Sequence, residues 1–532
     1  MPSQNRCAAF CLLTILSFLM ACANGQQKDI IFPETDLSTT ALIPLPMNIE
    51  ASGDGFALDE YTGIYTSQDQ GFADAGKFLA RKINARTPIR IKVNSEGEGG
   101  GVILIRKADR PELANDEAYH LRISRDTILL ESKTAKGAFL GVQTIRQLIS
   151  EAADQSLADY PIWVIPTGQI YDAPQYEYRS TMLDVSRHFF SVADVKKYID
   201  HISYYKMNTL HLHLSDDQGW RIEIKAWPKL TEIGGSTEVG GKSGGFYTQE
   251  DYKDIVNYAA AHHITIVPEI DMPGHTNAAS VSYPWLNGNG KTPELYEGTL
   301  VGFSTFDTRK DSVYAFIDDV VKEISALSPG PYFHIGGDES HVTEKDDYIY
   351  FVNRVEKIVQ KHGKRLIGWD EVATADLDAT SIAQVWASEE NQKLAIGKGM
   401  KVILSPAKKA YLDMKYDTLS KHGLTWAGII PVDTGYVWSP ESYGPKESIL
   451  GVEAPLWSET ISNLAELEYL AFPRLMGYAE LGWTIEGNRN WTDYEKRLAG
   501  QVPYLNRMKV QFYKSPRVDW DGAKDLTDIT SK

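Results

Sequence analysis

Residues 179–217 read RSTMLDVSRHFFSVADVKKYIDHISYYKMNTLHLHLSDD, and they hold one complete unit of strand, loop, helix and strand. The short run at 179–185 and the alternating TLHLHL at 209–214 are the strands. Between them Ser191 and Asp194 have the spacing of a capping box, in which a hydroxyl and an acid satisfy each other's free backbone N–H groups. Val195, Tyr198, Ile199, Ile202 and Tyr205 then recur on one helical face. Polar groups follow each strand, Asp184 and Arg187 after the first, Asp216 and Asp217 with Trp220 after the second. Two strands joined through a helix are expected to lie parallel, so the fold depends on how often the unit recurs.

It recurs along most of the chain. Short apolar strands at 264–270, 332–335, 365–368, 382–385, 402–404 and 450–454 bring the count to eight. Thr248 and Asp251 cap a second helix whose apolar face carries Ile255, Val256 and Ala259, and Val313, Phe316, Ile317, Val320, Val321 and Ile324 mark a third. The later helices are less clearly written. Eight units in one run predict an α/β fold, a (β/α)8 TIM barrel over residues 173–515, with its chemistry at the C-terminal strand ends. Residues 42–172 follow another pattern. Residues 89–93 alternate, 101–105 form a short buried strand, 119–123 pair with 127–130 across a polar turn, and 135–150 form a helix facing inward through Ala138, Val142, Ile145, Leu148 and Ile149. This is a small α+β domain placed before the barrel. Residues 151–176, with Pro161, Pro166 and Pro174, read as a connection, and 516–532 as a C-terminal tail.

The ends and the composition limit function. Residues 1–22 combine an early Arg6, an apolar stretch and LMAC at 19–22, the pattern of an export signal with a lipobox. Cys22 is then the expected lipidation site, residues 23–41 a polar tether, and the location an exported bacterial lipoprotein on the periplasmic or cell-surface side of a membrane. All three cysteines lie in that leader, so the folded body has no disulfide, no thiol nucleophile and no cysteine metal ligand. A net charge of −17 opposes binding to nucleic acid or an anionic bilayer, which leaves the lipid anchor as the only expected membrane contact. With 12 Trp and 28 Tyr the chain can build a core and still line a site with rings.

Polar and aromatic residues gather beyond nearly every strand: Asp271 and His275, Asp338 and Glu339, Trp369, Trp386, Tyr411 and Asp413, Trp457 and Glu459. One carboxylate after a strand is readily a helix cap, but recurrence around the barrel describes a site. Rings and acids around a concave mouth suit carbohydrate. Glycoside hydrolysis usually needs two carboxyls flanking one bond, whereas Asp338 and Glu339 are chain neighbours, and a strand's period of two turns neighbours apart. One of them is then not a conventional nucleophile, and the known alternative is attack by the sugar's own 2-acetamido group. Two such close acids should also hold one proton more tightly than usual.

The motif HIGGDE at 334–339 resembles the signature of family 20 glycoside hydrolases, the β-N-acetylhexosaminidases. RSTMLDVSRH at 179–188, HLHLSDDQGWR at 211–221, PEIDMPGH at 268–275 and GVEAPLWSE at 451–459 resemble that family too, in its order, so the likeness spans roughly residues 42–515. The resemblance implies exo-acting, retaining, substrate-assisted release of terminal N-acetylglucosamine or N-acetylgalactosamine from a glycan or chitooligosaccharide, with no cofactor or metal. It implies Glu339 as general acid and base, Asp338 as holder of the acetamide N–H, and Tyr411 as donor to the acetamide oxygen. Trp369, Trp386 and Trp457 would wall in the acetamido group, Arg187, Asp413 and Glu459 would bind hydroxyls, and Trp426 would stack on the leaving side. Asp216, Asp271 and His275 would tune Glu339. Three rivals are weaker. GGDE also opens a diguanylate cyclase signature, but here Ser340 follows it behind an export signal. His211 and His213 resemble a metal pair of barrel amidohydrolases, yet strands five and six end in Trp369 and Trp386, where further ligands belong. A sugar-binding lectin has no need of a proton donor beside Asp338.

Overall fold

The structure is a computed structural model that describes residues 35–86, 89–94, 101–152, 163–288 and 293–521. Cys22 and the leader lie outside the described residues, as do residues 23–34 of the expected tether. The last part of that segment is not a tether, since Leu37–Thr39 form a short 3-10 helix and Leu37 is buried in the core of the first domain. Among the described residues no helix is long and apolar enough to cross a membrane.

The first domain is a six-stranded mixed sheet of β1 (Asn48–Leu58), β2 (Gly63–Thr66), β3 (Val102–Lys107), β4 (Tyr119–Ile123), β5 (Thr127–Ser132) and β6 (Trp163–Asp172), in the order β1-β6-β4-β5-β3-β2. The helices Gln70–Arg86 and Ala135–Ala152 pack together with the sheet, and Ala138, Val142, Ile145, Leu148 and Ile149 are buried, as the periodicity requires. The β4–β5 pairing is antiparallel with Leu121 opposite Leu130. Within the sheet, two segments differ from the sequence expectation. Residues 89–93 form no strand, and only Val93 bridges to Ile64. Residues 163–172 are not a connection but β6, an interior strand between β1 and β4. Pro166 made that segment look like a linker. It is tolerated because it faces Gly55, where β1 bulges between Ala51 and Gly55, and a bulge does not demand the missing N–H. The Thr167 hydroxyl repairs the bulge, accepting from the Asp54 N–H at 3.0 Å and donating to the Asp54 carbonyl at 2.8 Å.

The barrel closes through β7 (Tyr178–Asp184), β8 (Thr209–His213), β9 (Thr265–Glu269), β10 (Tyr332–His334), β11 (Arg365–Trp369), β12 (Ile382–Val385), β13 (Lys401–Leu404) and β14 (Ile449–Leu456). All eight lie where the sequence puts them. β14 pairs parallel with β7, from Gly451 opposite Tyr178 to Leu456 opposite Leu183, and this seals the cylinder. The boxes at Ser191/Asp194 and Thr248/Asp251 are both formed, capping the helices Val192–Tyr204 and Gln249–Ala260. The last repeats depart from the pattern. After β13 the helices are short, Ala407–Ala410 and Val432–Tyr436, and two 3-10 helices follow before Ile449. Val518, beyond the expected end of the barrel at residue 515, is buried in its core.

The two domains are fastened by buried charge. Arg179, fully buried in the first barrel strand, meets Glu117 of the small domain at 2.7 and 2.9 Å, and Lys206 meets Asp172 at 2.8 Å. The Trp483 indole N–H donates to the other oxygen of Asp172 at 2.8 Å. Burial would raise the Glu117 carboxyl, but Arg179 and Lys136 outweigh it and hold it at about 2. A depressed carboxyl stabilises the fold fully above its unfolded value, and the contribution is lost as pH falls from 4.5 to about 2. Glu117→Gln strands Arg179 and should cost ~3–5 kcal/mol near neutral pH. Chemical unfolding at pH 7 and along an acid titration checks this, and the gap to the parent should close as acid neutralises Glu117. An unchanged midpoint at pH 7 would show that the pair does not fasten the domains.

Candidate active site

Each carboxylate of the barrel mouth is set by the strand beneath it. β10 ends at His334, and the chain leaves it through left-handed backbone at Gly336 (φ 65°), Gly337 (φ 98°) and Glu339 (φ 46°). Glycine is required at 336 for a second reason, because an added Cβ would lie 1.8 Å from Asp271 Oδ1. That closeness lets Asp271 accept the Gly337 N–H at 3.0 Å. Asp338 and Glu339 are therefore on a turn, not on a strand, and the alternation expected from sequence does not apply. Both approach one ring: His275 Nε2 lies 3.6 Å from Asp338 Oδ2 and 3.7 Å from Glu339 Oε2. Their nearer oxygens are within 4.8 Å of each other.

His275 connects this pair to deeper charges. Its Nδ1 is 3.1 Å from Asp216, which also meets Arg187 at 2.8 Å and His213 at 2.7 Å. Burial alone would raise the Asp216 carboxyl, but Arg187, His275 and the hydrogen bonds from His213 and His275 hold it far below the usual range. His275 is held protonated well above its usual range, because the charges of Asp216, Asp338 and Asp271 outweigh its burial. Burial first and Asp338 second raise Glu339, against the lowering influence of His275 and Arg187. Asp271 is likewise pushed up by burial and by Asp338. His275 thus faces Glu339 directly, while Asp216 acts through His275 and Asp271 through the 336–337 turn.

Beside Asp338 the rings form a box. Trp369 and Trp457 stand 5.7 Å apart, Tyr411 lies 6.3 Å from Trp457, and Trp386 stacks across from Tyr411 at 6.4 Å and 20°. Met182, Ala407, Met414 and Ile430 pack in the same cluster. Around the box several acceptors are buried and unpaired among the described residues: Asp338 Oδ1, both oxygens of Asp413, and Glu459 Oε2. Burial and Glu459 raise the Asp413 carboxyl, and burial raises Glu459 against the opposing charge of Arg187. Arg187 lies over the Trp457 ring at 4.8 Å. Trp426 is 57% exposed at the rim, edge-on to Trp386 and Tyr411. The barrel residues given a role from sequence are thus gathered at this mouth or directly beneath it. Trp220, expected there after the second strand, is instead turned into the helix-side core, with its ring 6.3 Å from Phe316 and its indole N–H donating to the Ile222 carbonyl at 2.7 Å.

The sequence reading overlooked the groups that aim Trp386. Asp370 Oδ2 accepts the backbone N–H groups of Trp386, Ala387 and Ser388 at 3.0, 3.0 and 3.1 Å, and Glu371 Oε2 accepts the Trp386 indole N–H at 3.1 Å. Both directly follow Trp369 at a strand end, the position that flagged the other acids. Below the mouth, His211 and His213 are buried among Glu269 and Glu453 as expected of core histidines. His211, Glu269 and His334 also present ligand atoms within 4.8 Å of one another. The Glu269 oxygens there already face three imidazoles and the Trp369 indole, so the group is built as an ion-pair cluster.

Comparison with known proteins agrees with this geometry. Residues 176–486 match the model described as glycosyl hydrolase family 20, catalytic domain, and residues 39–173 match its domain 2. The chain belongs to glycosyl hydrolase family 20. Among its relatives, a beta-N-acetylhexosaminidase of Cellulomonas fimi is 36% identical over 491 residues, 91% of this chain and 97% of that one. A beta-hexosaminidase of Porphyromonas gingivalis is 35% identical over 553 residues, 98% of this chain and 70% of that one. The solved Streptomyces plicatus N-acetyl-beta-hexosaminidase in complex with Thio-NAglucal is similar at a TM-score of 0.87 and 45% identity, over 92% of this chain and 99% of that chain. The family 20 enzyme is a glycoside hydrolase with β-N-acetylhexosaminidase activity.

Glu371 supplies a test of the mouth's electrostatics. Burial, then the charges of Asp370 and Asp338, push its carboxyl from 4.5 up to about 8. The unfolded chain releases this proton near 4.5 while the folded enzyme keeps it to about 8, so stability falls as pH rises through that window. Glu371→Gln keeps the shape and the acceptor for Trp386 but removes the titration. The variant should melt higher than the parent at pH 8, with the difference shrinking toward pH 5. Parallel melting curves across that range would contradict the assignment.

Proposed function

We propose that the enzyme is exo-acting and retaining, releases terminal β-linked N-acetylglucosamine or N-acetylgalactosamine, and uses the sugar's acetamido group as its nucleophile. The observation that carries this reading is the aromatic box of Trp369, Trp386, Trp457 and Tyr411 beside an Asp338 oxygen that is buried without a donor among the described residues. The box fits an acetyl methyl, and the unpaired oxygen fits the amide N–H.

In the first step Glu339, whose hold on its proton is strengthened by burial and by Asp338, gives that proton to the glycosidic oxygen. The acetamide carbonyl oxygen bonds to C1 as the leaving sugar departs, and an oxazolinium ring forms. Asp338 accepts the amide N–H and offsets the positive charge that develops there, while the Tyr411 hydroxyl donates to the carbonyl oxygen. In the second step the Glu339 carboxylate takes a proton from water, the water oxygen bonds to C1, and the ring opens. Two inversions at C1 give retention. Arg187, Asp413 and Glu459 hold the hydroxyls of the terminal sugar, and Trp426 carries the leaving group. Asp216, Asp271 and His275 are positioning residues that keep the charge around Glu339 in balance. The enzyme is also proposed to be a lipoprotein attached through Cys22, which the LMAC motif and the polar stretch after it support.

On a natural disaccharide, Glu339→Gln should lose ~10²–10⁴-fold in kcat, and much less on an aryl glycoside whose leaving group needs no proton. Asp338→Asn should lose ~10²–10³-fold on both substrates. Because Asp338 raises Glu339, its removal should also move the alkaline limb of the residual activity to lower pH. Full activity of either variant on the disaccharide would sink the mechanism. For the anchor, mass spectrometry of the protein from membranes should find acyl chains on an N-terminal Cys22, and Cys22→Ser should be recovered in the soluble fraction. An unmodified Cys22 in membrane-extracted protein would refute attachment there.

A further inference from the structure

A cleft of about 910 Å3 adjoins the mouth, with Trp386 and Trp426 common to its wall and to the aromatic box. It is cut between the helix Glu389–Gly397, the turn after β13 and the loop at 442–445. Trp386 and Trp426 line the end next to the aromatic box, and Lys393, Lys408, Lys409 and Tyr443 line the remainder. Trp386 is shared, stacking across from Tyr411 in the box and lining the cleft. The volume lies within the range that holds a ligand of several rings.

The charge in this cleft runs against the rest of the enzyme. The chain carries −17 overall and the mouth is crowded with acids, yet the cleft wall has three lysines and one carboxylate, Glu389. Glu389 is engaged by Lys393 at 2.5 Å. Among the described residues no carboxylate pairs with Lys408 or Lys409, and the Lys409 ammonium rests 5.7 Å from the Tyr443 ring centre. Ring faces beside free ammonium groups are the elements of a site for a sugar that carries negative charge.

We propose that this cleft binds the part of the glycan beyond the scissile bond, and that its lysines select chains bearing an acidic sugar there. The inference rests on the reaction proposed above, which places the leaving group against Trp426. Exposed ammonium groups give weak, salt-screened attraction, so the selection acts on KM and fades with ionic strength.

The test uses the full chain and two oligosaccharides with the same terminal β-N-acetylglucosamine, followed by neutral hexoses in one and hexuronates in the other. The ratio of kcat/KM, acidic over neutral, is measured in the parent and in Lys393→Gln/Lys408→Gln/Lys409→Gln. Because each ratio is taken on one protein, a loss of folded enzyme cancels. The ratio should fall by roughly 3- to 30-fold in the variant, through KM, and the parent should lose its advantage over the variant in about 0.5 M salt. Lys408→Glu should lower the ratio as well. A ratio that is the same in parent and variants, with both substrates cleaved, would overturn the cleft assignment. Failure of the parent to cleave either substrate would instead overturn the reaction on which it rests.

Discussion

Inside the barrel, four ring nitrogens converge on the carboxylate of Glu269: His213 Nδ1 at 2.5 Å, and His211 Nε2, His334 Nδ1 and Trp369 Nε1 each at 3.0 Å. A buried carboxylate is costly unless opposing charge and hydrogen bonds surround it. Burial opposes ionisation of Glu269, yet the imidazoles outweigh it and hold the carboxyl well below its usual value. In return the charges of Glu453 and Glu269 overcome burial and keep His211 up at about 9, and Glu269 with Asp216 does the same for His213. For His334 burial wins, and its proton is held less tightly than usual. The residues at the mouth depend on this cluster. Trp369 is a wall of the aromatic box, and His213 passes the charge to Asp216, which holds Arg187 and His275 and through them the two acids.

The adjacency of Asp338 and Glu339 acquires its meaning above that cluster. On a strand they would point to opposite faces. The left-handed turn instead brings both to one imidazole, while Asp271 braces the turn from the neighbouring strand end. Separation alone does not assign their roles, since their oxygens approach within 4.8 Å. What distinguishes them is surroundings: Asp338 is 7% exposed and borders the aromatic box, whereas Glu339 faces the more open side with its carboxyl raised by the neighbour. His334 has a place in the same scheme. Its Nδ1 lies 3.0 Å from Glu269 and accepts the Gly336 N–H at 3.0 Å, so it stands between the buried cluster and the start of the turn and can bond to only one of them at a time.

Much of this was legible in the sequence because its causes are local. Helical and strand periods, two capping boxes and the recurring acids and rings past each strand are all short-range patterns, and they determined the barrel, its order and the residues at its mouth. Only the tertiary structure decided the partnerships. Glu269 meets a tryptophan 100 residues away and Glu453 meets a histidine 242 residues away, which no local period encodes. It decided that Pro166 belongs to an interior strand, because the bulge opposite it lies in a strand more than 100 residues earlier. It also decided that Asp370 and Glu371 serve Trp386, and that Asp338 and Glu339 share one imidazole instead of facing apart. Closure of the barrel is the physical reason, since it brings eight distant strand ends to one rim, and only there do charges and rings find the neighbours that fix their chemistry.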